Sequence, residues 1–174
     1  MLSCTRITHT GHPLAGDWWN LYESAFPETE RRALAQHASA LKDASFHCLH
    51  LSDSQGFAGI LSYWRWGKLN YVEHLAIASE RRGQGLGHAA LSMVSAPCIL
   101  EIEPVIDAAT ARRLAFYESC GFTRLPHPHM QLAYQHGLPA VELWLLAKPV
   151  LTNQEVEEFE TLYHAGPMRY RDEA

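Results

Sequence analysis

The most constraining feature of this chain is a glycine-rich turn, Arg82-Gly83-Gln84-Gly85-Leu86-Gly87, set between two apolar segments. Tyr71 to Ile77, just before it, is continuously apolar towards its end, which indicates a strand buried on both faces near mid-sheet. Gly85 to Val94, which follows, has apolar residues at helical spacing. Glycines at such a strand-to-helix junction let backbone N–H groups converge beside the positive end of a helix. The segment therefore predicts an anion-binding turn of the kind that holds phosphate.

The spacing of the glycines limits the classes of ligand that the turn could bind. It is neither the GxGxxG of dinucleotide-binding folds nor the GxxxxGK[ST] of nucleoside-triphosphate loops. For an isolated trio of glycines, the alternative is a turn without ligand. If the turn does bind phosphate, the ligand belongs to a different class.

Length, composition and net charge limit the number of domains, the expected compartment and the class of partner. The chain has 174 residues, of which 47% are hydrophobic and 19% charged, as expected for one globular domain over 1–174. No stretch reaches the roughly 20 apolar residues of a membrane span, and the N-terminus lacks a signal-peptide pattern, so we expect a cytoplasmic protein without a membrane partner. The net charge of −5 disfavours nucleic acid as a partner and is compatible with a cationic substrate.

Periodicity and turn residues predict a mixed α/β fold, in which an α+β mixed sheet is flanked by helices. Apolar runs predict strands at Cys4 to Thr8, Ser45 to Leu51, Phe57 to Trp64, Tyr71 to Ile77, Pro97 to Ile102 and, as a final pair, from Phe122 and over Val141 to Ala147. Helical spacing and capping residues predict helices beginning at Asp17 and over Glu28 to Leu41, Gly85 to Val94, Ala108 to Cys120 and 153–165, the last capped by Asn153.

Two motifs resemble one family. Arg82-x-x-Gly85-x-Gly87, preceded by Tyr71-Val72-Glu73-His74-Leu75-Ala76-Ile77, resembles the acetyl-CoA pyrophosphate motif of the GNAT acetyltransferase superfamily. Ala115-Phe116-Tyr117-Glu118-Ser119-Cys120-Gly121-Phe122 resembles its later helix signature. The resemblance covers about residues 45–147 and implies a GNAT acyl-CoA N-acyltransferase-like fold with acetyl-CoA as cosubstrate.

The resemblance also implies cofactor-binding residues. Main-chain groups of Leu75, Ala76 and Ile77 would hold pantetheine. Backbone amides of the turn would receive the pyrophosphate at the helix N-terminus, with Arg82 adding positive charge. The amides in question belong to Gly83, Gln84, Gly85, Leu86, Gly87 and His88.

Acetylation of an amine requires the neutral amine, although a primary amine with a pKa of about 10 is protonated at neutral pH. Strand alternation places Tyr71, Glu73 and Leu75 on one face and His74 on the other. Because bases of the family that the chain resembles often occupy the active-site face of this strand, the resemblance implies Glu73 as the base. Tyr117 is the candidate acid for the departing thiolate, because a phenol is a donor with a suitable pKa. The alternative roles are an ion pair or a solvated strand position for Glu73 and core packing for Tyr117.

Several features leave alternatives open. Thr110 stands where many GNAT enzymes have Asn, so a CoA contact there is not expected. The histidines His47, His50, His127, His129 and His136 lack a matching cysteine or carboxylate framework, so no metal is expected.

The predicted function is acetyl transfer from acetyl-CoA to a primary amine of a small molecule or peptide. A non-catalytic acyl-CoA-binding or regulatory module on the same fold is the alternative. Oligomeric state, a homodimer included, is left open.

Overall fold

The computed structural model describes residues 1–172 and contains a seven-stranded sheet of order β1-β2-β3-β4-β5-β7-β6. All neighbouring strands are antiparallel except β4 and β5, which are parallel. The predicted mixed α/β fold is confirmed, with β4 in mid-sheet as expected. The strands are β1 Ser3–Ile7, β2 Phe46–Asp53, β3 Gly56–Trp66, β4 Leu69–Ile77, β5 Cys98–Ile102, β6 Thr123–Gln131 and β7 Val141–Lys148.

Five α-helices cover the two faces of the sheet: α1 Ala15–Ala25, α2 Leu34–Ala40, α3 Leu86–Leu91, α4 Ala108–Ser119 and α5 Asn153–Ala165. Residues of α1, α2 and α5 pack in one hydrophobic cluster, whereas residues of α3 and α4 pack in a second. Within residues 1–172, no helix is long and apolar enough to cross a membrane.

The two central strands separate part of the way along their length. β4 pairs with β5 only where Asn70 to Val72 lie beside Cys98 to Leu100. Beyond these residues the strands no longer pair, so the sheet opens in its middle. Backbone groups on this edge of β4 therefore face an opening instead of a neighbouring strand.

A β-bulge at Glu73 overturns the predicted alternation along β4. Ser62 of β3 pairs with His74, but the next residue, Tyr63, pairs with Val72, so Glu73 is the extra residue. A bulge breaks the period of two. Glu73 and His74 therefore both face the side of the sheet that carries α1 and α2, where Glu73 contacts Trp64 and His74 contacts Tyr22.

The predicted helix over Glu28 to Leu41 is present only as α2, over Leu34–Ala40, and is wrong before it. A 3-10 turn at Glu28–Glu30 is followed by extended backbone at Arg31 and Ala33, and α2 begins only at Leu34. The interruption carries the side chain of Arg32 into the core, where it is 0% exposed and pairs with Glu73. A long-range ion pair thus outweighs local helix propensity.

Helix ends differ from the predictions by up to three residues, as at the end of α3, predicted at Val94 and observed at Leu91. α1 begins at Ala15, so Asp17 lies in its first turn instead of capping it. α5 is capped by Thr152, which forms a reciprocal capping box with Glu155, so the predicted cap at Asn153 is wrong although the span 153–165 is confirmed. Residues 126–129, which include Pro126 and Pro128, lie within β6.

Candidate functional site

A cleft opens where β4 and β5 separate, with a cavity of about 580 Å³. Its walls come from the divergent strands, the segment between α1 and α2, the glycine turn and α4. Its polar and charged lining residues are Glu30, Glu73, His74, Arg81, Arg82, His88, Glu101, Glu103, Arg113, Tyr117 and Gln131. A cavity of this size, lined by polar and apolar residues together, is large enough for a small molecule.

The glycine turn forms one end of the cleft. Gly83 and Gly85 both have φ of +74°, a left-handed conformation that disfavours side chains, and Gly85 is the N-cap of α3. The amide of Ala89 donates to the carbonyl of Gly85 at 3.1 Å. Within the described chain, no protein group accepts a hydrogen bond from the amides of residues 83–88. The turn therefore presents consecutive free N–H donors at a helix start, an arrangement suited to an anion.

The two arginines before the turn have different environments. Arg81 is buried and donates to Asp53 at 2.6 Å and to the carbonyl of Phe57 at 3.1 Å. Arg82 is exposed and donates to the carbonyl of Ile77 at 3.3 Å. Arg82 is therefore free to meet an incoming anion, whereas Arg81 fastens the turn to β2 and β3.

Most of the predicted cofactor-binding residues line the cleft: Leu75, Ala76, Ile77, Arg82, Gly83, Gly85, Leu86, Gly87 and His88. Gln84 does not line it, and its side-chain oxygen lies 3.4 Å from Nε of Arg81. The turn itself is packed closely on α4, because a Cβ on Gly87 would lie 2.9 Å from Cζ of Phe116.

Glu73 lines the cleft, but both oxygens of its carboxylate already accept hydrogen bonds from other residues. Arg32 donates to both oxygens, at 2.7 and 2.9 Å, while Trp64 Nε1 and the Tyr134 hydroxyl donate at 3.1 and 2.7 Å. Although burial opposes ionisation, the charge of Arg32, together with these bonds, lowers the pKa of Glu73 to about 2. The carboxylate is thus a weak proton acceptor, and the prediction of Glu73 as the base does not fit its contacts.

The bulge places His74 beside Glu73 with both ring nitrogens engaged. Nε2 lies 2.8 Å from the carbonyl oxygen of Glu30, and Nδ1 lies 3.3 Å from the hydroxyl of Ser62. Burial lowers the pKa of His74, so the ring is neutral at pH 7 and donates through Nε2. His74 therefore fastens the segment carrying Glu30 to β4.

Tyr117 lines the cleft from α4, as the helix signature suggested. Its hydroxyl makes no hydrogen bond with any side chain or backbone group of residues 1–172. Burial raises the pKa of Tyr117 to about 12, so the phenol stays protonated across the physiological range. The group is therefore a proton donor without an internal partner.

Glu101, on β5, is held by several neighbours. The Tyr71 hydroxyl donates to it at 2.6 Å, His129 forms an ion pair with it, and Gln131 donates at 3.3 Å. His129 also contacts Glu160 of α5 at 2.7 Å, and the bonds to these two carboxylates raise its pKa to about 9 against the cost of burial. His129 is thus a buried cation.

Thr110 has a structural role that explains its departure from the usual Asn. Its hydroxyl accepts from the backbone amide of Asp107 at 3.1 Å, and its own amide donates to the Asp107 carboxylate at 2.8 Å. The two residues form the capping box of α4. Of the described residues, no three His, Cys, Asp or Glu side chains are grouped to hold a metal ion.

Sequence reasoning missed Glu30, Arg32, Tyr134 and Gln131 as residues of the cleft and its support. Arg32 and Tyr134 lie 41 and 61 positions from Glu73 along the chain. A charged residue inside an amphipathic segment, such as Arg32, gives no local sign of burial. The one available signal was Pro27 before an acidic run, which is compatible with a short turn as well as with a helix.

Fold and site together define an α/β protein with a cleft at the opened centre of its sheet and a turn of unpaired backbone amides at one end. The family model described as acetyltransferase (GNAT) domain matches residues 42–124. The predicted resemblance to the GNAT acetyltransferase superfamily is confirmed over these residues, which make up just under half of the chain.

Individual relatives are similar to this chain in sequence or in fold. "Putative acetyltransferase YjbC" of Bacillus subtilis strain 168 is 31% identical over 109 residues, which are 59% of this chain and 54% of the relative. The chain thus spans about half the length of that relative. A GNAT-family structure from Bacteroides thetaiotaomicron aligns with a TM-score of 0.83 at 24% identity, over 93% of this chain and 96% of the other. An Elizabethkingia anophelis GNAT acetyltransferase with acetyl-CoA bound gives a TM-score of 0.53 at 14% identity, over 84% and 96%.

Proposed function

We propose that this protein transfers an acetyl group from acetyl-CoA directly to a primary amine. The observation that carries the proposal is the cleft between β4 and β5, which joins the free amides of residues 83–88 to an acidic region containing Glu30. One end suits the pyrophosphate of a CoA thioester, and the other suits a cation.

The residues of the cleft fit acetyl-CoA as the acyl donor. The unpaired amides of the turn and the exposed guanidinium of Arg82 offer donors and charge for a pyrophosphate, and the open edge of β4 beyond Val72 offers backbone groups for an amide-containing arm such as pantetheine. Bound acetyl-CoA supplies an activated acetyl thioester. The acetyl-CoA-bound relative from Elizabethkingia anophelis supports the same choice of donor.

Tyr117 is our proposed acid for the departing CoA sulfur. Its hydroxyl faces the cleft without a protein partner, and its raised pKa keeps the proton available. A backbone N–H of β4 near Leu75 or Ile77 would polarise the acetyl carbonyl. In this proposal Glu73 keeps Arg32 and the turn at Glu28–Glu30 in place instead of acting as base.

Calorimetric titration with acetyl-CoA tests the proposal first, followed by CoA release measured with a panel of amines. The matched control carries Arg82→Ala and Gly85→Trp, which remove a charge and fill the turn. We expect saturable binding by the native chain, loss of binding in the control, and CoA release with at least one amine.

The outcomes separate the two functions that the sequence left open. Binding with no CoA release from any amine would favour an acyl-CoA-binding or regulatory module. If the native chain does not bind acetyl-CoA, the whole proposal is wrong.

A further inference from the structure

Four carboxylates line the cleft, and three are paired. Glu73 pairs with Arg32, Glu101 with His129, and Glu103 with Arg113. Throughout residues 1–172, no side chain lies within ion-pair or hydrogen-bond distance of the Glu30 carboxylate. Glu30 is thus the carboxylate in the cleft that is free to meet a substrate.

The backbone at Glu30 is held firmly although its side chain is free. His74 Nε2 donates to its carbonyl at 2.8 Å, and its own amide donates to Pro27 at 2.9 Å. Gln135 donates to the carbonyls of Glu28 and Arg31, at 3.3 and 3.2 Å. These contacts fix the position of Glu30 at the cleft wall, as a group acting on a bound substrate requires.

The surroundings of Glu30 favour its protonated form. Burial, the largest cause, together with the charges of Glu103, just after β5, and Glu101, on β5, raises the pKa of Glu30 to about 7. The charge of Arg113 on α4 opposes part of this rise. The neighbouring group on β4, His74, is neutral. A carboxyl whose pKa lies near the working pH can both take up and release a proton.

We propose that Glu30 is the general base of the acetyl transfer and binds the acceptor, a primary amine that arrives as an ammonium ion. This inference rests on the proposed function and adds to it the identity of the proton acceptor and the charge of the substrate. The bulge at Glu73 contributes indirectly, because it turns His74 towards the carbonyl of Glu30.

The ammonium nitrogen loses two protons during the reaction, and each has a named acceptor. Glu30 takes one proton from the ammonium ion, which frees the nitrogen lone pair to form the C–N bond, and later releases that proton to solvent through the cleft. As the C–S bond breaks, Tyr117 gives its proton to sulfur, and the second proton lost by nitrogen restores the phenol. The sum is ammonium plus thioester giving amide, thiol and one proton.

The test compares native protein, Glu30→Gln and the control Glu28→Gln, which alters an exposed carboxylate of the same turn. Acetyl-CoA affinity is measured by calorimetry, CoA release is followed against pH with an amine found in the panel, and the Glu30 carboxyl is titrated by ¹³C NMR. We expect equal acetyl-CoA affinity in all three proteins and a Glu30 titration near pH 7. At pH 7, kcat/KM should fall about 100-fold in Glu30→Gln only.

The pH profile separates a base from a residue that only binds substrate. The native profile should decline below pH 7 as Glu30 becomes protonated, and this decline should be absent in Glu30→Gln. Turnover by Glu30→Gln within twofold of native, with the same pH profile, would overturn the role of Glu30 while leaving the proposed function intact. Acetyl-CoA binding without turnover of any amine would overturn both.

Discussion

The Glu73 carboxylate is negatively charged although its side chain is 0% exposed. The Arg32 side chain, which is 1% exposed, supplies the opposite charge. Such a pair adds little net stability compared with an apolar one, but removing one partner leaves the other charged and buried. At the residue scale, burial therefore turns a motif carboxylate from a candidate base into an anchor.

Replacing Arg32 by Met should destabilise the fold by about 3–5 kcal/mol, because Glu73 is left as an uncompensated buried charge. Urea denaturation at pH 7 measures the change. Arg31→Met is the matched control, since the contact of Arg31 with Glu23 at 3.5 Å lies at a partly exposed surface and should contribute about 0–1 kcal/mol. Equal, small effects in both variants would contradict the buried-anchor interpretation.

Replacing Tyr117 by Phe should lower kcat about 100-fold while the affinity for acetyl-CoA stays within twofold, because only the proton of the phenol is lost. Since the pKa of Tyr117 is about 12, native turnover should show no decline from its ionisation up to pH 10. Stopped-flow detection of CoA release and calorimetry supply the two measurements. An unchanged kcat would remove Tyr117 as the acid.

At the scale of elements, the glycine turn depends on how closely α3 approaches α4. Gly87, the second residue of α3, faces the ring of Phe116, and Gly83 and Gly85 supply the left-handed backbone. The repeated glycines, the buried strand and the helix could all be predicted from sequence, because each is a local pattern. The close contact with Phe116 could not, because it joins residues 29 positions apart.

The contact predicts opposite effects for two glycine substitutions. Gly16 is also the second residue of a helix, α1, with no atom within 4 Å of an added Cβ, so Gly16→Ala should stabilise the protein by about 0.4–1 kcal/mol. Gly87→Ala should instead destabilise it by about 1–3 kcal/mol, because Phe116 must move. Urea denaturation measures both, and combining Gly87→Ala with Phe116→Leu should recover part of the loss. Stabilisation by Gly87→Ala alone would contradict the contact.

At the scale of the whole molecule, His129 connects distant parts of the chain. It lies on β6, pairs with Glu101 on β5 and contacts Glu160 on α5, so one buried cation joins the sheet to the C-terminal helix. Its raised pKa means that the folded state binds its proton more tightly than the unfolded chain does. The resulting stabilisation is complete below pH 6.5 and is lost as the pH rises to about 9.

The stability lost over this range should amount to about 3 kcal/mol, from a pKa difference between 6.5 and about 9. The measurement is the free energy of unfolding in urea at pH 6 and pH 10 for native protein, His129→Gln and the control His127→Gln. Between pH 6 and pH 10, native protein and His127→Gln should each lose about 3 kcal/mol more stability than His129→Gln does. If the three pH dependences coincide, His129 does not hold its proton in the folded state.

The sequence by itself determined most of the elements, their order, the glycine turn and the position of Tyr117, because spacing and turn chemistry act over a few residues. Tertiary structure alone decided that Glu73 is an anchor, that Arg32 interrupts a predicted helix and that Glu30 is free. Burial and charge pairing determine these roles, and they depend on partners far apart along the chain, such as Arg32 and Glu73 at a separation of 41 positions.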